Sequence, residues 1–147
     1  MSSARDSDLV LESTLHSEIQ HFYARQMQLL DAGRTDEWAD TFTQDGVFAA
    51  NGRTAATGRP AIRKSAAQTA AQLAEKGVQV RHWLGMADVR PKPDGTLHVS
   101  CYALILNTAQ GGSPAVHLST TCEDVLVRAE DGGWQVSVRQ VQRDDLR

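Results

Sequence analysis

Several features whose presence would decide the class of this chain at once are missing. It has no apolar stretch approaching 18 residues, so no membrane-spanning helix is expected. Basic residues are not in excess: 15 Lys and Arg against 18 Asp and Glu give a formal net charge of -3. That balance argues against a nucleic-acid-binding surface. Cysteine is scarce, with only Cys101 and Cys122, both in predicted strands. Two free buried thiols in a reducing cytoplasm are expected rather than a disulfide framework. Neither thiol has a sequence-adjacent activator, so both read as core residues and not as nucleophiles. The five histidines, His16, His21, His82, His98 and His117, show no zinc or facial-triad spacing, and no metal is expected. No helix start follows Gly111-Gly112 or Gly132-Gly133, which makes them turns and not phosphate loops. The first nine residues lack an apolar run and mix Arg5 with Asp6 and Asp8, so no signal peptide is expected.

What is present fits one globular domain. A chain of 147 residues, 41% hydrophobic, can bury a core without staples. Residues 1–12 read as a mobile N-terminal tail and 13–147 as the domain. Leu15, Ile19, Phe22, Tyr23, Met27 and Leu30 recur at steps of three and four, the signature of an amphipathic helix from Ser13 to Leu30. Gly33 stands where a helix-ending glycine is expected. Thr35 reads as the N-cap of a short second helix with Asp36 and Glu37 in its first turn and Trp38 and Phe42 as its buried pair. A short strand is expected over 47–50 and a loop over 51–58. Pro60 suits the first position of a third, Ala-rich helix that closes before Gly77. The apolar period then changes to two, with Val78, Val80, His82, Leu84 and Met86 on one strand face. Further strands are predicted over 97–106, 115–128 and 134–142. Three helices followed by an antiparallel meander predict an α+β fold with the helices on one face of a bent sheet.

Two ionisable residues fall on predicted inward faces. Asp31 lies one turn after Met27, and His82 shares its strand face with apolar residues. Taken singly, an Asp at a helix end is most often a capping or surface residue, and an inward His a satisfied core residue. Taken together, a carboxylate bonded to one imidazole nitrogen fixes the tautomer of the other, and the pair can move a proton. His117, Ser119, Thr121 and Glu123 alternate along one face of the third long strand, and Arg139 on the last strand can join them. Facing inward, these groups would orient polar or anionic parts of a ligand, Arg139 suiting a carboxylate or an enolate. Facing outward, they would be surface or a dimer contact. Tyr102, the only tyrosine in the predicted sheet, is either a phenolic donor or a sheet packer. Trp38, Trp83 and Trp134 read as core or interface anchors, and Trp38 and Met86 are counted with the candidate ligand wall.

Three segments carry a family resemblance. The first runs from Phe22 to Phe48: a long helix ending in Leu30-Asp31, a short helix carrying Trp38, then Phe42-Thr43-x-Asp45-x-x-Phe48. The others are Val80-Arg81-His82 and the closing Asp131-Gly132-Gly133-Trp134-x-Val136. In order and spacing they resemble the SnoaL-like branch of the NTF2-like superfamily over nearly the whole folded part. The resemblance implies an NTF2-like cone, three N-terminal helices packed on a strongly bent antiparallel sheet around a buried pocket. Relatives with this pattern include scytalone dehydratase, bile-acid dehydratases, polyketide cyclases and the small subunits of ring-hydroxylating dioxygenases. The catalytic aspartate and histidine of the dehydratases match Asp31 and His82. The pocket serine and asparagine of scytalone dehydratase fall near Thr121 and Glu123. Its two pocket tyrosines fall at Leu30 and near Ala50, and an asparagine common among relatives falls at Met86, so those groups are not carried over. The implied activity is a cofactor-independent dehydratase, isomerase or cyclase acting on an aromatic polyketide-type intermediate. The alternatives are a protein that binds and shields such an intermediate, and a structural dioxygenase subunit. The expected partners are a polycyclic or pyran-forming small molecule and a second copy of the chain, packed through the outer sheet faces with Trp83 toward the partner.

Overall fold

The computed structural model describes residues 3–147. Helix α1 (Ala4–Asp31) opens on a capping box, with Ser3 Oγ accepting from the Asp6 N–H and the Asp6 carboxylate accepting from the Ser3 N–H, each at 3.3 Å. The stretch expected as a tail is therefore helical from Ala4 onward. Residues 4–14 are all exposed, so no core imposes a period on them and the apolar repeat begins only at Leu15. The helix closes through Gly33 at φ +76°, a conformation that glycine adopts without a Cβ clash. Helix α2 (Thr35–Ala39) has Arg34, not Thr35, at its N-cap position, with no side-chain cap bond. Helix α3 (Arg59–Lys76) begins with Pro60 in its first turn and ends on Gly77 at φ +65°, as its sequence predicts.

The six strands are β1 (Phe42–Ala50), β2 (Ala56–Thr57), β3 (Val78–Pro91), β4 (Leu97–Ala109), β5 (Ala115–Arg128) and β6 (Trp134–Arg143). They form one sheet in the order β2-β1-β6-β5-β4-β3. The meander β3 to β6 is antiparallel throughout, while β1 adds to β6 in parallel. The helices cover the concave face. Ile19, Phe42, Ile62, Val99, Leu126 and Val136 are fully buried between the layers. Trp38 stands edge-on to Phe42 at 5.0 Å, an arrangement that aromatic quadrupoles favour. This is the α+β cone expected from the sequence.

The register shifts at four places, one between Phe42 and Val47 in the β1–β6 ladder and three in the antiparallel meander, which bend the sheet and reset which side chains face in. In β3 the register shifts between Gly85 and Asp88, with Met86 at φ 55°. Met86 is thereby turned outward to 83% exposure and Ala87 takes the inward place. A strict period of two put Met86 beside His82; the bulge breaks that period. A second shift, between Ile105 and Leu106 of β4, inserts His117 as an extra residue in β5. A third lies between Val125 and Leu126 in the β5–β6 ladder.

Candidate active site

A cavity of about 410 Å³ lies between the helices and the concave sheet face, within the usual range for small-molecule sites. Its wall is mostly apolar: Met27 and Leu30 of α1, Trp38 of α2, Ile62, Ala66 and Leu73 of α3, and Val80, Leu84, Ile105 and Val141 of the sheet. The rim carries polar groups, Asn51, Arg53, His117 and Arg143. Arg53 is tethered to Ser65 Oγ at 2.7 Å, and Arg143 forms a fork on Asp145 at 3.0 and 2.7 Å.

Asp31 and His82 meet at the β3 side of this cavity. His82 Nδ1 lies 2.5 Å from Asp31 Oδ1, and the His82 backbone N–H donates to Asp31 Oδ2 at 3.0 Å. One carboxylate thus grips both the ring and the backbone of one residue. The backbone bond exists because β3 is an edge strand, whose outward N–H groups have no neighbouring strand to bond. Gln79 adds a bond from its side-chain amide to the Asp31 carbonyl at 3.2 Å. The pair is largely enclosed, with side-chain exposures of 7% for Asp31 and 19% for His82. Asp31 borders an outer groove between α1 and β3, whereas His82 borders both that groove and the cavity. With Nδ1–H donated to the carboxylate, Nε2 is left as an acceptor, and it has no protein partner among the described residues.

The remaining predicted site residues divide by strand parity. Trp38, His117 and Arg139 border the cavity, His117 because the β5 bulge turns it inward. Ser119, Thr121 and Glu123 do not join them. They share the outer face of β5, while Leu118, Thr120, Cys122 and Asp124 take the inner one. Ser119 there donates to Asp144 and Glu123 accepts from Ser100, both at 2.6 Å. Tyr102 is 61% exposed on the same outer side, and so is Met86. The signal for the inner face of β5 was available in the alternation itself, since Leu118, Cys122 and Leu126 are its apolar members.

Arg139 does not offer a ligand the open fork expected from its sequence position. Its Nε and Nη2 form a fork on Asp124 at 2.9 and 2.8 Å, and Nη2 also donates to Gln26 Oε1 at 2.8 Å. Tyr23 donates its phenol hydrogen to Asp124 Oδ2 at 2.6 Å. Burial pulls the guanidinium toward its neutral form, but the Asp124 carboxylate more than reverses this and the net shift is upward. Burial first, then Asp124, holds the Tyr23 phenol far above its ordinary range. Tyr23 was read from the sequence only as a core residue of the first helix, and Asp124 and Gln26 were not singled out, because nothing local links residues 101 and 113 positions apart. Cys101 and Cys122 face each other directly across β4 and β5 as free thiols. The hydrogen bond with Cys101, reinforced by burial, pushes the Cys122 thiol upward, so it is held as an unreactive thiol.

Solved structures of known proteins match this architecture over most of the chain. Among curated proteins there is no match. A protein from Catenulispora acidiphila, solved in complex with S-DNPA, is 37% identical with a TM-score of 0.80 over 91% of this chain and 96% of its own. Aln2 from a Streptomyces species is 35% identical with a TM-score of 0.84 over 90% and 93%. ActVI-ORFA from Streptomyces coelicolor is 31% identical with a TM-score of 0.83 over 90% and 96%. The SnoaL-like domain model matches residues 12–140, a span that takes in five strands, most of the sixth, most of the cavity wall and both members of the Asp31–His82 pair, and the chain belongs to the SnoaL-like family.

Proposed function

We propose that the protein is a cofactor-independent acid–base catalyst, a dehydratase, isomerase or cyclase, acting on an aromatic polyketide-type intermediate held in the cavity. The observation that carries this reading is the 2.5 Å contact between Asp31 and a His82 ring that borders the cavity. His82 Nε2 takes a proton from a carbon next to a carbonyl. The imidazolium so formed is stabilised by Asp31 through Nδ1–H. The proton then passes to a departing β-hydroxyl, which completes dehydration, or to another carbon of the conjugated system, which completes isomerisation. The apolar wall keeps water from quenching the intermediate. A small molecule bound to a protein 37% identical to this one supports occupancy of the cavity by a small-molecule ligand.

Leu30 and Ala50 border the cavity where scytalone dehydratase places phenols, which favours shielding of an intermediate as the second reading. A tricyclic or pyran-forming β-hydroxy ketone, incubated with the protein in D₂O and followed by mass spectrometry, separates the two. Protein-dependent loss of water or deuterium uptake next to the carbonyl, absent with His82→Ala, is expected. Binding without either reaction would replace catalysis with shielding. The scaffold-subunit reading leaves the enclosed Asp31–His82 contact without a purpose.

We further propose a homodimer formed through the outer sheet face. Trp83, Tyr102 and Val116 there are 69%, 61% and 61% exposed, a cluster of large apolar groups of the kind that marks an interface. Sedimentation at micromolar concentration is expected to give a dimer and Trp83→Glu a monomer. A monomeric parent protein would exclude the arrangement.

A further inference from the structure

The inner end of the cavity is built on a buried ion pair that the proton transfer leaves unused. The side chains of Arg139 and Asp124 are 4% and 0% exposed. The rings of Tyr23 and Phe42 each lie with their centres 5.6 Å from the Arg139 guanidinium carbon, so the fork is clamped as well as paired. A guanidinium has five N–H donors. Three are spent on Asp124 and Gln26. The two on Nη1 meet no acceptor among the described residues. Yet Nη1 is not one of the buried atoms sealed off without a partner, and Arg139 borders the cavity. These two donors therefore open into it.

We propose that Arg139 is a specificity-determining anchor that receives a single carbonyl or phenolate oxygen at the end of the substrate remote from His82. The proposal rests on His82 marking the reacting end. Two arguments define the ligand. The first is charge and geometry. Asp124 already neutralises Arg139 and occupies its two-pronged edge, so a carboxylate could not be met by the same fork. One oxygen atom can accept an Nη1 hydrogen in line, the two hydrogens on that nitrogen pointing apart. The second argument is length. Tyr23 and Asp31, which hold the two ends, stand eight residues apart on α1, about 12 Å along the axis. Met27 lies between them and borders the cavity. The interval is roughly the length of a fused bicyclic or tricyclic system, with the reacting carbon at one end and an oxygen at the other.

The probes are naphthalene and 2-naphthol, which differ by one oxygen, titrated by fluorescence. The intact protein is expected to bind 2-naphthol about tenfold more tightly, the worth of one hydrogen bond to a charged donor. The paired replacement Arg139→Met with Asp124→Leu removes both charges together and should abolish the preference while keeping naphthalene affinity. Arg139→Lys keeps the charge and loses the planar fork, and should shrink the preference severalfold if the double variant fails to fold. His82→Ala should leave the preference in place. Equal affinities for the two probes, including no binding of either, overturn the proposal, as does a preference that follows His82 instead of Arg139. Turnover of the Asp31 and His82 variants reads the acid–base pair separately, so either idea can fail alone.

Discussion

Asp31→Asn and His82→Ala are each expected to lower turnover roughly a hundredfold or more, the usual contribution of a positioned general acid–base group, and the double variant to be no slower than the worse single one. The non-additivity follows from the geometry. Asp31 has no contact of its own with the ligand cavity; it acts through the ring that it holds at 2.5 Å. Once His82 is gone, Asp31 has nothing left to orient, and two groups that act as a unit share one loss. Ligand affinity is expected to change far less than rate, because most of the wall is aliphatic and untouched by either substitution. Single-turnover kinetics on the three variants, with binding measured in parallel, decides this. Multiplicative losses would show two independent contributions and break the relay.

The second large effect is on stability. Asp124→Ala is expected to cost about 3–5 kcal/mol, because it leaves Arg139 charged in a site with almost no solvent access. It also strips the Tyr23 phenol of its acceptor, adding an unmet buried donor. Replacing both members, Arg139→Met with Asp124→Leu, should cost much less than the sum of the single changes, since the methionine and leucine fill the same space without charge to desolvate. Urea midpoints of the four proteins measure the coupling. Additive losses would mean that the two side chains are stabilised independently and that the fork is incidental.

Much of this fold could be read before its structure was known. Helix α3 was bounded by Pro60 and Gly77 because both act locally, one by its fixed φ and the other by its freedom at positive φ. Strand β5 was bounded by turn residues on either side. The limits appear where the outcome depends on partners distant in sequence. The parallel pairing of β1 with β6 is invisible to periodicity. Strand β2, at two residues, is too short to show an alternation. The polar face of β5 was the harder case. Both of its faces carry polar groups, and the one that turned inward was the face whose Asp124 could meet Arg139 and Tyr23. The bulge that turns Met86 outward likewise left no trace, since no glycine marks its positive φ. Asp31 and His82 were found by residue type and family pattern, but their contact joins residues 51 apart and needed the fold to be seen.

The double grip of Asp31 on His82 also fixes where a ligand can come and go. Helix α1 and the edge strand β3 are riveted together by the same two bonds that orient the base. If the pair is the acid–base catalyst proposed above, any parting of that seam would disarm it at the moment of admitting its substrate. On the proposed function, the doorway would then lie across the cavity, past Asn51, Arg53, His117 and Arg143, the first two in the turn between β1 and β2. Gly52 stands in that turn, and even a single added methyl carbon there would come within 2.6 Å of Leu146. On the proposed function, traffic and chemistry would then occupy opposite edges of one bent sheet, β2 at one and β3 at the other.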